Sequence, residues 1–478
     1  MHQLDDLIAQ VKRLSQELDK RVAKHATLEP YLEGNCPFPP AVSQARLTKL
    51  YRHLMPVAEA PWGSLVVDSK LDRLEVSGIR DVDQAAADRV WAEAWQTNGM
   101  DSEAKLGHGA ALLDGRCYAT VWPHSNGEPV ATFDGAAPDI ALDDMTQMVV
   151  EFAEGSRRKR TAALRRWNEG RTTYATLYRP DGVYKFKGPD DSASTVTDTW
   201  EKRSVKDESW PLANPFNAVP VVEIAVNRRL KPGAFPYTRG EFAHCIGLID
   251  RINLLTFLGL VVAIDLGFPI RGVTGDKIRR RVLKDDDGNT LIDDVTGKEK
   301  TEAVAPFQNI PGSVAQFENP EARTFEFKAA DRGNMSVFAE LDQLAVITKT
   351  PRHYFPLEQG MSNLSAEAIM ASEGAMHAGV TGHKSTLGEG WEEVNRLSGQ
   401  VLGVELSQRA ETVWMDHQSR SLAERADAAS KLKDVVPGLA VAEIALNATQ
   451  EQIARWQQMS AADPLAQLVT AANGVPAG

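Results

Sequence analysis

At 478 residues, with 43% hydrophobic and 25% charged residues, the chain has the make-up of a soluble globular protein of about three domains. Its net charge of −12 argues against a dedicated nucleic-acid binder, since tight binding to duplex needs many Lys and Arg at phosphates, though not against a protein that touches DNA without holding it. Three scattered cysteines, Cys36, Cys117 and Cys245, exclude a disulfide framework and suit a reducing compartment.

The opening MHQLDDLIAQVKRL carries acids early and has no apolar core, so it does not read as a signal peptide. Leu4, Leu7, Ile8, Val11, Leu14, Leu18 and Val22 recur at helical spacing and predict an amphipathic helix, which the loop GNCPFPP (34–40) ends. From WGSLVVDSKLDRLEVSGI (62–79) to about Val226, short strand-like runs alternate with turns and a few helices. ADRVWAEAWQTNGM (87–100) predicts a helix ending near Gly99. CYATVWPHSNGEPVATF (117–133) predicts a hairpin turning at Asn126-Gly127, with further turns at Asn168-Glu169-Gly170 and Asp181-Gly182. This mixture is an α+β region.

Thr238 to Ile264 reads as a single helix of about 26 residues, near 40 Å long. Its most apolar run, Asn253 to Phe268, is broken by Asp265 and falls short of the roughly 20 residues of a bilayer span, so a buried helix is expected. A polar stretch follows with a hairpin signal at Asp287-Gly288, then a β-like piece at GSVAQFENPEARTFEF (312–327). A second helix, capped at Asp331, carries Met335, Phe338, Leu341, Leu344 and Ala345. TKTPRHYFPLEQGMSN (348–363) is a Pro/Gly loop.

Ser365 is placed to cap a long helix, with Glu367 in its first turn. Ile369, Met376, Val380, Leu387, Trp391 and Val394 give it one apolar stripe, yet glycines interrupt it at 374, 379, 382, 388 and 390. Each interior Gly costs about 1 kcal/mol relative to Ala, so something tertiary must offset them. One reading is close packing against neighbouring subunits with a bend between Gly374 and Gly390, and Gly374, Gly379, Gly382 and Trp391 as the packing candidates. The other is two shorter helices with a turn near Gly379 to Gly382. The last sixty or so residues read as helical, with capping boxes SLAE (421–424) and TQEQ (449–452).

No stretch carries a convincing catalytic signature. GVTGHKST (379–386) approaches a phosphate-cradling loop, but His383 stands where that motif needs Gly, and the surroundings are helical. LKDDDGNTLIDD (283–294) puts Leu283 at the first ligand position of a calcium loop, so a hairpin is the better reading. His377 and His383 are spaced too far apart to share a helix face as a metal pair. His244 and Cys245 read as a packed core pair on an apolar helix. Two basic runs, RRKR (157–160) and DKIRRRVLK (276–284), read by default as solvated strand faces.

The order of elements is more specific than any motif. It resembles the portal proteins of tailed double-stranded-DNA bacteriophages, especially those of phages of actinobacteria. The resemblance is carried by LVVDSKLDRLEVSGI (65–79), AALRRW (162–167), NPFNAVPVVEIAVNRR (214–229) and LIDRINLLTFLGLVVAIDLGFP (248–269). It continues through TKTPRHYF (348–355), SNLSAEAIMASEGAM (362–376), WEEVNRL (391–397), AERADAASKL (423–432) and TQEQIARW (449–456).

What the resemblance implies is an α+β portal-type subunit, neither an enzyme nor a cofactor binder, in a dodecameric ring at a capsid vertex. Its parts would be an α/β wing (1–237), two stem helices (238–266 and 329–347) and a small β-containing clip between them (267–328). A tunnel loop (348–364), a long kinked wing helix with its return (365–420) and a helical crown (421–478) would follow. Lys349, Arg352, His353, Tyr354, Glu358, Gln359 and Asn363 would face passing DNA. Lys277, Arg279, Arg280, Arg281 and Lys284 would dock the terminase large subunit and later the head-to-tail adaptor. Major capsid and scaffolding proteins would be further partners, with no membrane involved, in the host cytoplasm during assembly and then in the virion. The rival readings are another self-assembling head component and a hydrolase using carboxylates such as Asp114 or Asp134.

Overall fold

The computed structural model of the protein describes residues 2–37, 53–156, 158–188, 199–206, 208–231, 234–267, 271–274, 280–285, 288–293, 296–303, 314–317, 324–326, 333–356, 366–417 and 421–462. Helices and sheets both contribute, as an α+β chain requires.

The opening stripe forms helix α1 (His2–Glu33). Leu7, Val11, Leu14 and Leu18 are buried, while Leu4 and Val22 at the ends of the stripe are exposed. The covered face lies on an antiparallel sheet of β5 (Met148–Phe152), β6 (Arg160–Glu169), β7 (Thr172–Arg179), β8 (Gly182–Lys187) and β9 (Glu201–Lys202), in that order. Val149, Leu164, Leu177 and Phe186 complete this core. Strand alternation sends every second residue to the helix side, so one helix stripe and one sheet face satisfy each other.

A second sheet is built on β2 (Arg116–Ser125), which pairs with β3 (Glu128–Pro129), β4 (Ala137–Asp144) and β10 (Val221–Ala225). The β2–β3 turn falls at Asn126 and Gly127, both left-handed with φ 54° and 82°, as a two-residue hairpin of this twist demands. Gly170 (φ 62°) makes the β6–β7 turn, and Arg179 pairs with Gly182 across the β7–β8 turn.

Two helices in this region differ from expectation. WGSLVVDSKL, read as strand-like, is a helix (Trp62–Leu71), preceded by the short helix Met55–Ala58. These are α3 and α2. Tertiary contacts override the β-branched residues of α3: a Cβ on Gly63 would stand 2.6 Å from the Tyr31 carbonyl oxygen, and Lys70 is drawn inward to a buried carboxylate. After β1 (Val76–Arg80), the predicted helix starts as α4 (Gln84–Val90), widens into a π-helix at Trp91–Gln96, and stops at left-handed Gly99. A further helix, α5 (Met100–Asp114), lay unrecognised in the strand-rich reading.

The first stem candidate also begins later than expected. Helix α6 runs Ile246–Gly267, and Thr238 to Cys245 is irregular. The cause is a close crossing: a Cβ on Gly240 would fall 1.8 Å from the Leu113 carbonyl oxygen, and the Glu241 amide donates to the Leu112 carbonyl at 2.8 Å. His244 therefore precedes the helix and is exposed, so it is not the core partner of buried Cys245. Helix α7 (Gly333–Thr348) packs on α6, with Arg251 paired to Glu340. The expected cap at Asp331 lies outside the described residues.

Before α6, β11 (Arg229–Lys231) and β12 (Ala234–Tyr237) pair antiparallel, and between α6 and α7 the described strands are short. β13 (Arg271–Thr274) lies between β16 (Val314–Phe317), to which it runs parallel, and antiparallel β17 (Thr324–Glu326). β14 (Arg280–Val282) pairs with β15 (Thr301–Ala303), and a Lys284–Thr290 bridge closes the hairpin predicted around Gly288.

Helix α8 runs unbroken from Ala366 to Leu402, about 55 Å, so the chain does not turn at Gly379 to Gly382. Met376, Val380, Leu387, Trp391 and Val394 are fully buried in the largest core. Trp391 stands edge-on to Trp95, with ring centroids 5.1 Å apart, and its indole donates to His108 Nε2 at 2.8 Å. His108 Nδ1 is then the donor to the Leu74 carbonyl, 3.1 Å away, and burial pushes this neutral imidazole down to about 4.

The chain returns through β18 (Glu411–Trp414), antiparallel to β1. It ends in α9 (Leu422–Leu432), α10 (Gly438–Ile444) and α11 (Gln450–Ala462). Both capping boxes are formed: Ser421 and Glu424 exchange side-chain-to-backbone bonds, as do Thr449 and Gln452. Ser365 lies outside the described residues.

Candidate functional site

Five segments converge where α7 ends and the Pro/Gly loop begins, and one carboxylate joins four of them. Glu241 Oε2 lies 2.5 Å from Lys70 Nζ on α3. Its Oε1 lies 2.9 Å from His383 Nε2 on α8 and accepts from Asn227 Nδ2 at 2.6 Å. Lys70 also donates to the Thr348 carbonyl at 2.9 Å, which fixes the last turn of α7 at the loop root. Lys70, Glu241, Thr348 and His383 are all buried. Burial works against the Glu241 charge, but the bond from His383 and the charge of Lys70 hold its carboxyl well below the usual range.

A cleft of about 360 Å³ opens over this hub, lined among others by Arg228, Arg239, His244, Lys349, Gly379 and Gly382. Lys349 is exposed and takes a left-handed backbone, φ 56°, as the chain leaves the helix. A second tie lies beside it. Glu373 on α8 takes the Tyr354 hydroxyl at 3.2 Å and His353 Nε2 at 3.4 Å, while Arg73 donates to Tyr354 at 2.6 Å. Arg352 faces outward and pairs with Asp342 at 2.6 Å.

The structure thus brings Lys349, Gly379 and Gly382 to one cleft and clamps His353 and Tyr354 against α8. Glu358, Gln359 and Asn363 lie outside the described residues, as do Lys277 and Arg279. Arg280 and Arg281 are exposed on β14, and Lys284 is exposed beyond it, far along the chain from this hub. A Cβ at Gly374, Gly379 or Gly382 would meet nothing within 4 Å in the subunit. The packing is tight instead at Gly390, whose Cβ would lie 2.9 Å from Ile224 Cγ1, while a Cβ on Gly388 would make ordinary contact with Trp414 at 3.4 Å. Trp391 is fully buried inside the subunit.

GVTGHKST lies inside α8, and its His and Lys side chains are engaged. His383 binds Glu241, and Lys384 Nζ donates to the Met415 carbonyl at 2.5 Å. Burial pushes Lys384 down to about 8 and, with the Lys384 charge, His417 down to about 4, so His417 accepts at Nδ1 from Lys384 at 3.3 Å. Asp114 is buried against His25, whose Nδ1 is 2.9 Å away, and Asp134 is exposed at a turn. Among the described residues, no group of three or more His, Cys, Asp or Glu is placed to hold a metal ion.

Sequence reasoning missed Lys70, Arg73, Glu241 and Glu373. No spacing links them, because Lys70 and Glu241 stand 171 residues apart. The apolar helix also differs from expectation. Ile246–Ile264 is long and apolar enough to cross a membrane by length and composition alone, yet 28% of that window is buried. Ile249, Ile252 and Phe257 face inward; Leu258 on α6 and Val346 and Ile347 on α7 are exposed.

The model of the family "Phage portal protein, SPP1 Gp6-like" matches residues 12–463. The chain is similar to the portal protein of Mycobacterium phage D29, 28% identical over 446 residues, covering 88% of this chain and 83% of the relative. It is similar to that of Mycobacterium phage L5 at 27% over 447 residues, with the same coverage. A solved structure described as the neck of an empty GTA particle covers 83% of this chain and 94% of its own at 11% identity, with a TM-score of 0.41, too low to carry an argument. With the family model spanning nearly its whole length, the chain belongs to the phage portal proteins, and its place is in the phage head as a head–tail connector.

Proposed function

We propose that twelve copies of this chain form a ring at one capsid vertex, through which DNA enters the head during packaging and leaves during ejection. The carrying observation is helix α6: a chain of this family carries an apolar helix of which its own fold buries 28%. Bare apolar surface of this kind is stabilised by burial, at roughly 25 cal/mol per Å², and neighbouring copies of the same helix pair supply it. On this reading α6 and α7 are the stem, the strands between them the clip, residues 1–237 the wing and residues 421–478 the crown.

The channel chemistry follows from charge. Duplex DNA carries one negative charge per roughly 1.7 Å of axis, and a strongly basic wall would hold it by counterion release. The chain as a whole carries −12, and the pairing of Arg352 with Asp342 offsets one cation at the root of the loop. DNA would slide past Lys349 and the loop without a lasting grip. The exposed Arg280, Arg281 and Lys284 would meet the terminase large subunit, then the head-to-tail adaptor. Capsid and scaffolding proteins would surround the wing.

The test is an infection with the coding sequence interrupted. Heads that assemble but contain no DNA, with packaging restored by the intact chain, are expected. Fully packaged heads lacking this protein would refute the proposal.

A further inference from the structure

The cleft over the Glu241 hub is charged against the trend of the chain. Acids outnumber Lys and Arg by 65 to 53 in the whole protein, yet the cleft lining carries four cations, Lys70, Arg228, Arg239 and Lys349, against one carboxylate. That carboxylate, Glu241, and Lys70 neutralise each other at 2.5 Å. Arg228 reaches Glu223 at 3.7 Å, but Arg116 already holds the same carboxylate at 2.8 Å. Among the described residues, Arg239 and Lys349 have no ion-pair partner. Arg228, His244 and Lys349 are exposed, so the positive lining is open to a partner.

The sequence around it has the same bias. Asn227 to Gly240, the segment that holds hairpin β11–β12, contains Arg228, Arg229, Lys231 and Arg239 and no Asp or Glu. Burial, then the charge of Arg239 ahead of the opposing Glu241, pushes the His244 imidazole down, as a positive surrounding should. Gly379 and Gly382 line the same cleft, and a Cβ at either would meet nothing within 4 Å. Glycine weakens a helix, and no contact within the subunit calls for it at these two positions.

We propose that this cleft is a socket for carboxylates of a second copy of the chain, which neutralise Arg228, Arg239 and Lys349 on assembly. The inference rests on the ring assembly proposed for the protein. A ring closes through a heterologous contact, so the surface that fills the socket is a different patch of the same chain, and a chain of net charge −12 supplies acids for it. The bare glycine backbone leaves room for the incoming side chains. Left uncovered, the three cations beside the loop root would hold duplex DNA by counterion release, whereas a filled socket lets it pass.

The test is zero-length carbodiimide coupling of the assembled full-length protein, prepared from equal parts of ordinary and heavy-isotope-labelled chain. The reagent joins an amine to a carboxylate in contact with it, so mass spectrometry should find Lys349 joined to an Asp or Glu peptide of the other isotope. Lys349→Arg should lose that product and still assemble. Arg228→Glu with Lys349→Glu should raise the protein concentration needed for assembly at least about tenfold. The free double variant should melt as the wild type does, because both side chains are exposed. Rings in which Lys349 couples to no other copy, or a double variant that assembles like the wild type, would overturn the socket and leave the ring standing. Wild-type rings that retain duplex DNA, with retention lost in the double variant, would assign the cleft to DNA phosphates instead and also overturn it. A chain that stays monomeric at every concentration would end the ring and the socket together.

Discussion

Glu241 and Lys70, 171 residues apart in sequence, form a buried ion pair at 2.5 Å, and the same lysine holds the carbonyl of Thr348. One contact therefore ties helix α3, the segment before α6 and the root of the Pro/Gly loop. Removing one partner of such a pair leaves an uncompensated buried charge and costs about 3–5 kcal/mol. Glu241→Gln should destabilise the subunit by that order in denaturant melts, and Glu241→Gln with Lys70→Met should recover much of it. The folded carboxyl lies below its unfolded value, so its contribution is complete above about pH 4.5 and is lost as acid carries the pH toward the folded value. The variant should therefore flatten the acid limb of stability against pH. An unchanged acid limb would show that the pair does not couple to folding.

His25 gives the opposite sign. Its bond to Asp114 raises it to about 9, against burial, which lowers it. A group raised on folding contributes fully below its ordinary value of 6.5, and that contribution is lost as pH rises through about 9. The wild-type melting temperature should fall across this window, and His25→Gln should reduce the fall. Equal slopes in both proteins would contradict the linkage between α1 and α5.

The glycines of α8 divide into two kinds. Gly390→Ala should destabilise the isolated subunit by about 1–3 kcal/mol, because its Cβ would meet Ile224 at 2.9 Å. Gly379→Ala and Gly382→Ala meet open space and should stabilise the isolated subunit by up to about 1 kcal/mol each through helix propensity. If neighbouring copies pack on that face, the same two changes should impair assembly. Stabler subunits that assemble normally would show that no neighbour approaches those positions.

Much of this was legible because it is local. The α1 stripe, the Asn126-Gly127 turn and both capping boxes are set by residues within a few positions of one another, and each formed as read. Thr238 to Cys245 read as helix because its apolar pattern continues into α6, but the crossing of Gly240 over Leu113 depends on a segment more than a hundred residues away. The Val-rich face of α3 read as strand for the same reason, since only Tyr31, Phe242 and Glu241 decide what it packs against. The site was the least legible part. Lys349, His353 and Tyr354 were singled out, but Glu241 and Glu373, which hold the loop root in place, carry no signal in spacing.

Arg280 and Arg281 lie exposed and adjacent on β14. Reversing both to Glu should weaken capture of the terminase large subunit in a pull-down at least about tenfold while leaving the oligomer intact, since rim charges act on partner association more than on fold. Undiminished capture would remove these arginines from the docking surface.

The central claim is that the partly covered helix pair α6 and α7 is buried by further copies of itself around an open channel. Light scattering of the purified chain, with negative-stain images of the same fraction, tests it most directly. A mass of about twelve times 52.3 kDa in ring-shaped particles with a central hole is the predicted result. A 52.3 kDa monomer at every concentration, or a compact dimer without a hole, would contradict it.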